Sequence, residues 1–187
     1  MPAKPQIKRI VVRGTNWIGD AVMSIPALRE LSRIFPDAEI VLHTKTSVEG
    51  LFDDADFIDR VMPFAKSKSK IKHTFDQADQ LGDGDFDLAV LFPNSFESAI
   101  TTKLAKIPHR IGYNKDLRGL LLTDPVAVPE WKDKRHEVFY YLNLVAEAER
   151  RYLGTSSVLC SLPDASLPVS EKRRTDARKM LETEGVD

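Results

Sequence analysis

One short segment near the amino terminus combines two glycines with an acid in a pattern suited to a ligand. The segment is Arg13-Gly14-Thr15-Asn16-Trp17-Ile18-Gly19-Asp20. Its Gly-x4-Gly spacing is that of the phosphate loop G-x-x-x-x-G-K-[ST], whose lysine and hydroxyl hold phosphate and magnesium. Here those two positions are Asp20 and Ala21, and a carboxylate repels phosphate while alanine offers no oxygen to a metal. The dinucleotide pattern G-x-G-x-x-G is absent as well, so the segment predicts a ligand loop that presents an acid.

An acid at this position suits proton transfer from a sugar hydroxyl. When a sugar leaves a nucleotide with inversion, the acceptor hydroxyl attacks the anomeric carbon and loses its proton to one carboxylate within hydrogen-bonding reach. The second carboxyl group that glycosidases use on the leaving group is unnecessary, because a nucleotide diphosphate leaves as a stable anion. The alternative is that Asp20 only caps the helix that follows, since Asp is favoured at the N-cap. Chemistry alone leaves both interpretations open.

The sequence predicts the elements that position this loop. A β-branched run at Ile10-Val11-Val12 indicates a buried strand before it, and apolar residues at helical spacing from Val22 to Ile34 indicate a helix after it. Further strands are predicted at 39–43, 60–62, 86–92, 110–112 and 120–122, and further helices at 48–52, up to about 81, and at 96–105, 136–152 and 170–185. Such alternation with short loops predicts an α/β fold with a doubly wound, mostly parallel, Rossmann-like sheet covered on both faces.

The bulk composition favours one soluble domain and excludes several classes of protein. A chain of 187 residues is long enough for one domain with a sizeable core. Lys and Arg total 27 and Asp and Glu total 28, without the basic excess of a general nucleic-acid binder. The single Cys160 excludes an intrachain disulfide framework, and its apolar neighbours predict a buried or half-buried thiol. No signal-peptide core or bilayer-length apolar run is present, so we expect a cytoplasmic protein, or one peripheral at the inner face of the inner membrane.

Five segments spread along the chain recur in the same order in one known family. They are Arg13 to Leu28, Leu91 to Ala99, Ile107 to Tyr113, Arg118 to Leu122 and Arg135 to Leu142. In these segments the chain resembles the ADP-heptose-dependent lipopolysaccharide heptosyltransferases, especially the type that adds the second heptose. The resemblance covers nearly the whole chain, and the order of several motifs makes it more specific than one motif alone.

The resemblance implies one half of a two-domain glycosyltransferase of the GT-B type, in which two Rossmann-like halves face a cleft. The amino-terminal half holds the acceptor, a growing lipid A–Kdo–heptose core, and the other half holds ADP-L-glycero-D-manno-heptose. Transfer in the family is inverting and needs no bound metal or other cofactor, and the family's catalytic acid falls on Asp20. We therefore expect an acceptor-binding domain at 1–168, a linker helix at 169–187 toward a missing sugar-nucleotide domain, and no activity from this chain alone.

Other candidate substrate-binding residues lie in the first loop, after the strand predicted at 86–92, and in two basic clusters. They are Thr15, Asn16, Trp17, Gly19, Asn94, Ser95, Arg110, Arg118, Arg135 and His136. Arginine suits an acceptor that carries carboxylates and phosphates, because its fork pairs with two oxygens. The alternatives are a core position for Trp17, a turn and helix cap for Asn94 and Ser95, and solvated surface charge for the basic residues, which we favour for Lys132. The four histidines show no metal-ligand spacing, so no metal site is predicted.

A basic stretch at Lys66–Lys72 has two interpretations. Its lysines can contact anionic lipid headgroups, each contributing about 1 kcal/mol near such a surface. It can equally be a mobile surface loop without a partner.

Two functions of other classes also remain open. One is a non-catalytic module that recognises anionic glycolipid, and the other is a nucleotide-binding regulatory domain of flavodoxin-like type. The acid in the first loop disfavours the second. Retention of the acceptor with little affinity for ADP favours the enzyme half, whereas tight ADP binding favours the nucleotide-binding domain.

Overall fold

The computed structural model describes residues 5–65, 69–160 and 162–185, and within them a parallel sheet carries helices on both faces. The strands are β1 (Arg9–Arg13), β2 (Glu39–Lys45), β3 (Arg60–Phe64), β4 (Leu88–Leu91), β5 (His109–Tyr113) and β6 (Asp124–Val126). The helices are α1 (Ile18–Ile34), α2 (Thr46–Glu49), α3 (Lys70–Gly82), α4 (Phe96–Leu104), α5 (Glu137–Ala148) and α6 (Glu171–Thr183). Short 3-10 turns cover Gly50–Phe52 and Arg118–Leu121, and a π turn, Glu149–Leu153, extends α5.

The strand order is β3-β2-β1-β4-β5-β6, and each neighbouring pair is parallel. Alternate residues of β1 supply the two cores: Ile10 and Val12 belong to the core under α1 and α5, whereas Val11 belongs to the core under α3 and α4. Helix α1 packs against α5, and α3 packs against α4. The predicted doubly wound α/β sheet is thus confirmed, and it is parallel throughout.

The connection between β5 and β6 differs from the prediction. Leu120–Leu122 was predicted to be a strand, but the chain there forms the 3-10 turn Arg118–Leu121, and Leu120 projects into solvent. The sixth strand is Asp124–Val126, which contains Pro125 at the edge of the sheet. Proline cannot donate a hydrogen bond to a neighbouring strand and is tolerated at the edge of a sheet. Because Pro125 argues against a strand, the local sequence pattern did not indicate β6.

Two further predictions need correction. Cys160 is exposed, because it ends a turn in which Val158 takes the buried position. For the basic stretch at 66–72, a mobile loop was one of two interpretations. Residues 66–68 lie outside the described residues, whereas residues 70–72 form the first turn of α3, capped by Ser69, which accepts a hydrogen bond from Lys72 N.

The last helix stands apart from the core. Ser170 caps α6 as predicted, by accepting a hydrogen bond from Arg173 N, and no residue of α6 is buried. Its contacts with the domain lie at its first turn, where Arg173 approaches Asp53 and Asp54. None of the helices in the described ranges combines the length and the apolar character that a bilayer crossing requires.

Candidate functional site

A small cleft opens where the strand order reverses. The chain leaves β1 toward β2 on one side and leaves β4 toward β5 on the other, so the loops after these two neighbouring strands part at the carboxyl edge of the sheet. The cavity between them has a volume of about 200 Å³ and is lined by Thr15, Asn16, Trp17, Asp20, Phe92, Pro93, Asn94, Glu137, Tyr140 and Tyr141. Two larger depressions lie elsewhere, beside Ile34–Ala38 and between the ends of α3 and α4. Ligands of open α/β sheets bind at the reversal point, so we assign the site to the smaller cleft.

Asp20 is the third residue of α1 and lines this cleft. The N-cap is Trp17, whose side chain makes no capping bond, so the alternative role of Asp20 as the N-cap is wrong. The carboxylate is half-buried, and among the described residues it has no hydrogen-bond or ion-pair partner. Burial, and after it the nearby charge of Asp20, raises the pKa of Tyr141 across the cleft, so that phenol stays protonated beside the acid.

The start of the loop after β1 is held in place by internal contacts, although the tip of the loop is exposed. Arg13 at the end of β1 is buried, lies 4.7 Å from the centre of the Phe64 ring, and donates through Nη1 to Nδ1 of His43. Burial, with the charge of Arg13, lowers the pKa of His43 to about 2, so its ring is neutral and can accept that bond. Gly14 N donates to the His43 carbonyl at 2.9 Å. Beyond this anchor, Asn16, Trp17 and Gly19 are exposed.

The opposite wall of the cleft begins at the end of β4. Asn94 lines the cleft, and its Nδ2 donates to the Tyr140 hydroxyl at 3.1 Å. Ser95 accepts a hydrogen bond from Ser98 N and caps α4, as the alternative interpretation predicted. Asn94 therefore faces the site, whereas the Ser95 side chain serves the helix.

Arg118 is buried inside the domain, so its predicted contact with an anionic acceptor is wrong. Its exposed fraction is 0%, and its guanidinium has five internal acceptors. These are the carbonyls of Tyr113, Pro93 and Ser95, the Ser98 hydroxyl and Asn94 Oδ1. Burial lowers its pKa to about 10, so Arg118 stays charged at neutral pH. A Cβ at Gly112 would lie 2.9 Å from Arg118 Nη2, so that glycine makes room for the side chain. Arg118 therefore holds the chain that forms one wall of the cleft.

The other predicted basic residues lie outside the cleft lining. Arg110 belongs to the first half of β5 and donates to the carbonyls of Leu121 and Ile107, which turns it away from the carboxyl edge and corrects its predicted role. Arg135 is exposed, with its guanidinium 5.3 Å from the centre of the Trp131 ring. His136 is the N-cap of α5, where Nδ1 accepts from Val138 N at 3.3 Å. In sequence both directly precede Glu137, which lines the cleft.

Helix α5 supplies a third wall that sequence reasoning missed as a site. Glu137, Tyr140 and Tyr141 line the cleft from its first two turns. Lys132, predicted to be solvated surface charge, instead pairs with Glu137, and its Nζ lies 4.5 Å from the centre of the Tyr140 ring. Glu137 is therefore a compensated charge, unlike Asp20. The sequence signal that could have indicated this wall is the pair Tyr140-Tyr141 in the first two turns of α5.

A tyrosine stack supports the back of that wall. The rings of Tyr113 and Tyr140 lie 3.9 Å apart and nearly parallel. Tyr113 OH donates to the Tyr140 carbonyl at 2.7 Å and accepts from Asn143 Nδ2 at 2.9 Å. This stack joins β5 to α5 and fixes the direction of the cleft-facing side chains. No group of three His, Cys, Asp or Glu residues within the described ranges is arranged to hold a metal ion.

Known proteins resemble this chain in sequence and in fold. A model of glycosyltransferase family 9 (heptosyltransferase) matches residues 75–182. Lipopolysaccharide heptosyltransferase 2 of Escherichia coli strain K12 is 30% identical over 118 residues, which are 62% of this chain and 34% of that protein. Lipooligosaccharide heptosyltransferase 2 of Haemophilus ducreyi is 28% identical over 118 residues, which are again 62% of this chain and 34% of that protein.

Two solved structures share the fold. The structure of E. coli ADP-heptose lps heptosyltransferase II aligns with a TM-score of 0.76 at 24% identity, over 97% of this chain and 51% of that one. A glycosyl transferase family 9 protein from Veillonella parvula aligns with a TM-score of 0.80 at 18% identity, over 96% and 50%. The chain thus matches about a third of the length of its curated relatives and about half the length of these structures.

Proposed function

The chain belongs to glycosyltransferase family 9, and from that membership and the cleft at Asp20 we propose that it is the acceptor-side half of an inverting heptosyltransferase. The complete enzyme would transfer heptose from ADP-heptose to the inner core of lipopolysaccharide. The observation that carries this proposal is a carboxylate without a partner among the described residues, placed where the sheet opens for a ligand.

In the proposed reaction, Asp20 takes the proton of the acceptor hydroxyl. The hydroxyl oxygen forms a bond to the anomeric carbon of heptose, while the bond from that carbon to the phosphate oxygen breaks and its electron pair leaves with ADP. Glu137 is less suited to this role, because Lys132 already compensates its charge. One base suffices, since the leaving diphosphate is a stable anion.

The cleft also offers groups that would orient a sugar. Thr15 lines the cleft, and within the described residues its buried Oγ1 has no hydrogen-bond partner. Trp17 presents most of its ring to solvent beside Asp20, and an aromatic face packs well against the apolar face of a pyranose. Asn16 and Gly19 belong to the same exposed tip, Asn94 lines the cleft from the loop after β4, and Arg135 with His136 directly precedes α5.

We propose the following division of the chain. Residues 1–168 would make up the acceptor-binding domain, and residues 169–187, which include α6, would make up a linker toward a sugar-nucleotide domain. The absence of any buried residue in α6 supports this assignment, because a helix of one compact domain normally buries one face. The donor ADP-heptose would bind through that second domain.

The acceptor of the proposed reaction is linked to lipid, so the enzyme would work in the cytoplasm, in peripheral contact with the inner-membrane surface. Nucleic acid is not an expected partner, because the acidic and basic residues balance to a formal net charge of -1.

The test compares the 187-residue chain with a full-length family 9 protein that contains it. We expect the full-length protein to transfer heptose from ADP-heptose to a core acceptor, and the chain alone to retain the acceptor but bind ADP weakly. Tight ADP binding by the chain would overturn the proposal in favour of a nucleotide-binding regulatory domain. If the full-length protein binds the acceptor but transfers no heptose, the result would favour the alternative of a non-catalytic glycolipid-binding module.

A further inference from the structure

Large apolar side chains are exposed along one part of the carboxyl edge, on the face of the sheet that carries α3 and α4. Ile71 and Phe75 project from the first turns of α3, Phe96 from the start of α4, and Leu117 and Leu120 from the turn after β5. Helix α4 packs against α3 on one side and against this turn on the other. The five side chains therefore belong to three adjoining elements, and we call them the apolar rim.

The turn that carries Leu117 and Leu120, which we call the leucine turn, holds both side chains in solvent. Leu117 is 85% exposed and Leu120 is 86% exposed. Asp116 and Leu117 both have positive φ, of 52° and 61°, a conformation that costs free energy in residues with a side chain. Between the two leucines, fully buried Arg118 fastens the turn to the domain. The turn thus presents two apolar side chains from a rigid base.

Basic residues flank the apolar rim. Lys70 and Lys72 adjoin Ile71 in the first turn of α3, and Lys115 precedes the leucine turn; all three are exposed. The positive end of the α3 dipole lies at the same place. The acidic Asp76 and Asp79 lie further along α3, so the helix is basic at its start and acidic later.

Two further acids, Glu97 and Asp116, lie close to the rim. Glu97 beside Phe96 accepts a hydrogen bond from Gln77 Nε2 at 3.0 Å and lies 3.6 Å from His73 Nε2. Asp116 is exposed and follows Lys115 in sequence, and its charge acts on the buried Arg118.

We propose that the apolar rim and its flanking lysines form a docking surface for an anionic lipid bilayer. Protruding apolar side chains beside lysines suit the boundary between headgroups and acyl chains, where apolar burial and attraction to anionic lipid act together. The rim shares the carboxyl edge with the cleft, so docking would bring Asp20 toward a lipid-linked acceptor. In this last respect the proposal rests on the proposed function.

The first experiment is cosedimentation of the 187-residue chain with vesicles of phosphatidylcholine alone or containing phosphatidylglycerol. Wild-type protein should bind the anionic vesicles, and added salt should weaken binding. Leu117→Ser with Leu120→Ser, and separately Ile71→Ser with Phe75→Ser, should lower the partition coefficient by about tenfold or more. Lys70→Gln and Lys72→Gln should each lower it about fivefold.

The matched control is Met180→Ser with Leu181→Ser, which removes two exposed apolar side chains from α6 and should bind as wild type. Far-ultraviolet circular dichroism confirms that each variant is folded. Failure of the wild-type chain to bind anionic vesicles, or equal binding by the rim variants and the wild type, would overturn the proposal.

A second measurement reports the position of the leucine turn directly. Leu117→Cys in a Cys160→Ser background carries an environment-sensitive fluorophore, whose emission should shift to the blue on anionic vesicles and be quenched by brominated lipid. The same label at Met180→Cys should not respond. An unchanged spectrum at position 117 would contradict docking through this turn.

Transfer of heptose to a deacylated, water-soluble acceptor separates this proposal from the proposed function. Rim variants of the full-length protein should retain the wild-type rate on that acceptor. If wild-type protein transfers nothing to it while the chain still docks on anionic vesicles, the proposed function fails and the docking surface stands.

Discussion

The cleft is formed by two corners, the loops that follow β1 and β4, and these two loops are built in opposite ways. At the corner after β1, the side chains of Asn16, Trp17 and Asp20 have no hydrogen-bond partner within the described residues, and α1 begins without a side-chain cap. At the corner after β4, Ser95 caps α4 and Arg118 donates to three neighbouring carbonyls.

This difference separates reacting groups from the frame that orients them. A group that accepts a proton must be free to meet a substrate, whereas its surroundings act best when they are already fixed. The β4 corner supplies the fixed wall, and the β1 corner, anchored at Arg13, supplies the free groups. Substitutions at Arg118, Glu149 and Trp17, with Asp20→Asn as a control, test this contrast through stability and acceptor binding.

The largest expected effect on stability is that of Arg118→Met. The change removes the donors of the Tyr113, Pro93 and Ser95 carbonyls and of Asn94 Oδ1, so we expect a loss of roughly 3 kcal/mol in the free energy of unfolding. Urea denaturation followed by circular dichroism measures it. Arg118→Lys should recover only part of the loss, because an ammonium group cannot reach all five acceptors. A loss below about 1 kcal/mol for Arg118→Met would mean that the β4 corner does not depend on this side chain.

A smaller effect is expected at Glu149, a buried acid that contrasts with Asp20. Burial alone would raise the pKa of Glu149, but hydrogen bonds from the Ser157 hydroxyl and amide, Val158 N and the Thr155 hydroxyl outweigh it and hold the value at about 2, below its usual 4.5. Because the folded-state pKa is the lower one, the ionised acid stabilises the fold above about pH 4.5, and this contribution disappears as pH falls toward 2.

Glu149→Gln should therefore cost about 2 kcal/mol at pH 7, and the difference from wild type should shrink between pH 4.5 and pH 2. Denaturant unfolding across that range measures the change. Asp20→Asn is the matched control, and it should alter the free energy of unfolding by less than about 0.5 kcal/mol at pH 7, since it breaks no hydrogen bond within the described residues. A pH-independent cost at Glu149 would contradict the assignment.

The smallest effect on stability is expected for Trp17→Ala, because 74% of that side chain is exposed. The free energy of unfolding should change by less than about 0.5 kcal/mol, while acceptor affinity, measured by titration calorimetry, should fall about tenfold through loss of the aromatic platform. Unchanged affinity would remove Trp17 from the proposed site.

The same contrast explains what the sequence could and could not predict. Strand and helix positions follow from local periodicity, and so do the caps Ser95 and Ser170 and the placement of Asp20 after the first strand. The role of Arg118 does not, because its acceptors come from two turns that meet only in the folded chain. Tyr140 and Tyr141 reach the cleft from a helix that begins more than 100 residues after the loop they face, and Pro125 conceals β6 from any local pattern.

The most direct test of the central claim is the rate of heptose transfer by the full-length protein carrying Asp20→Asn. Asparagine keeps the shape of the side chain but cannot take the proton, so the account predicts a rate constant lower by about a hundredfold or more, with acceptor affinity and stability unchanged. Turnover within about threefold of wild type would contradict the assignment of Asp20 as the base.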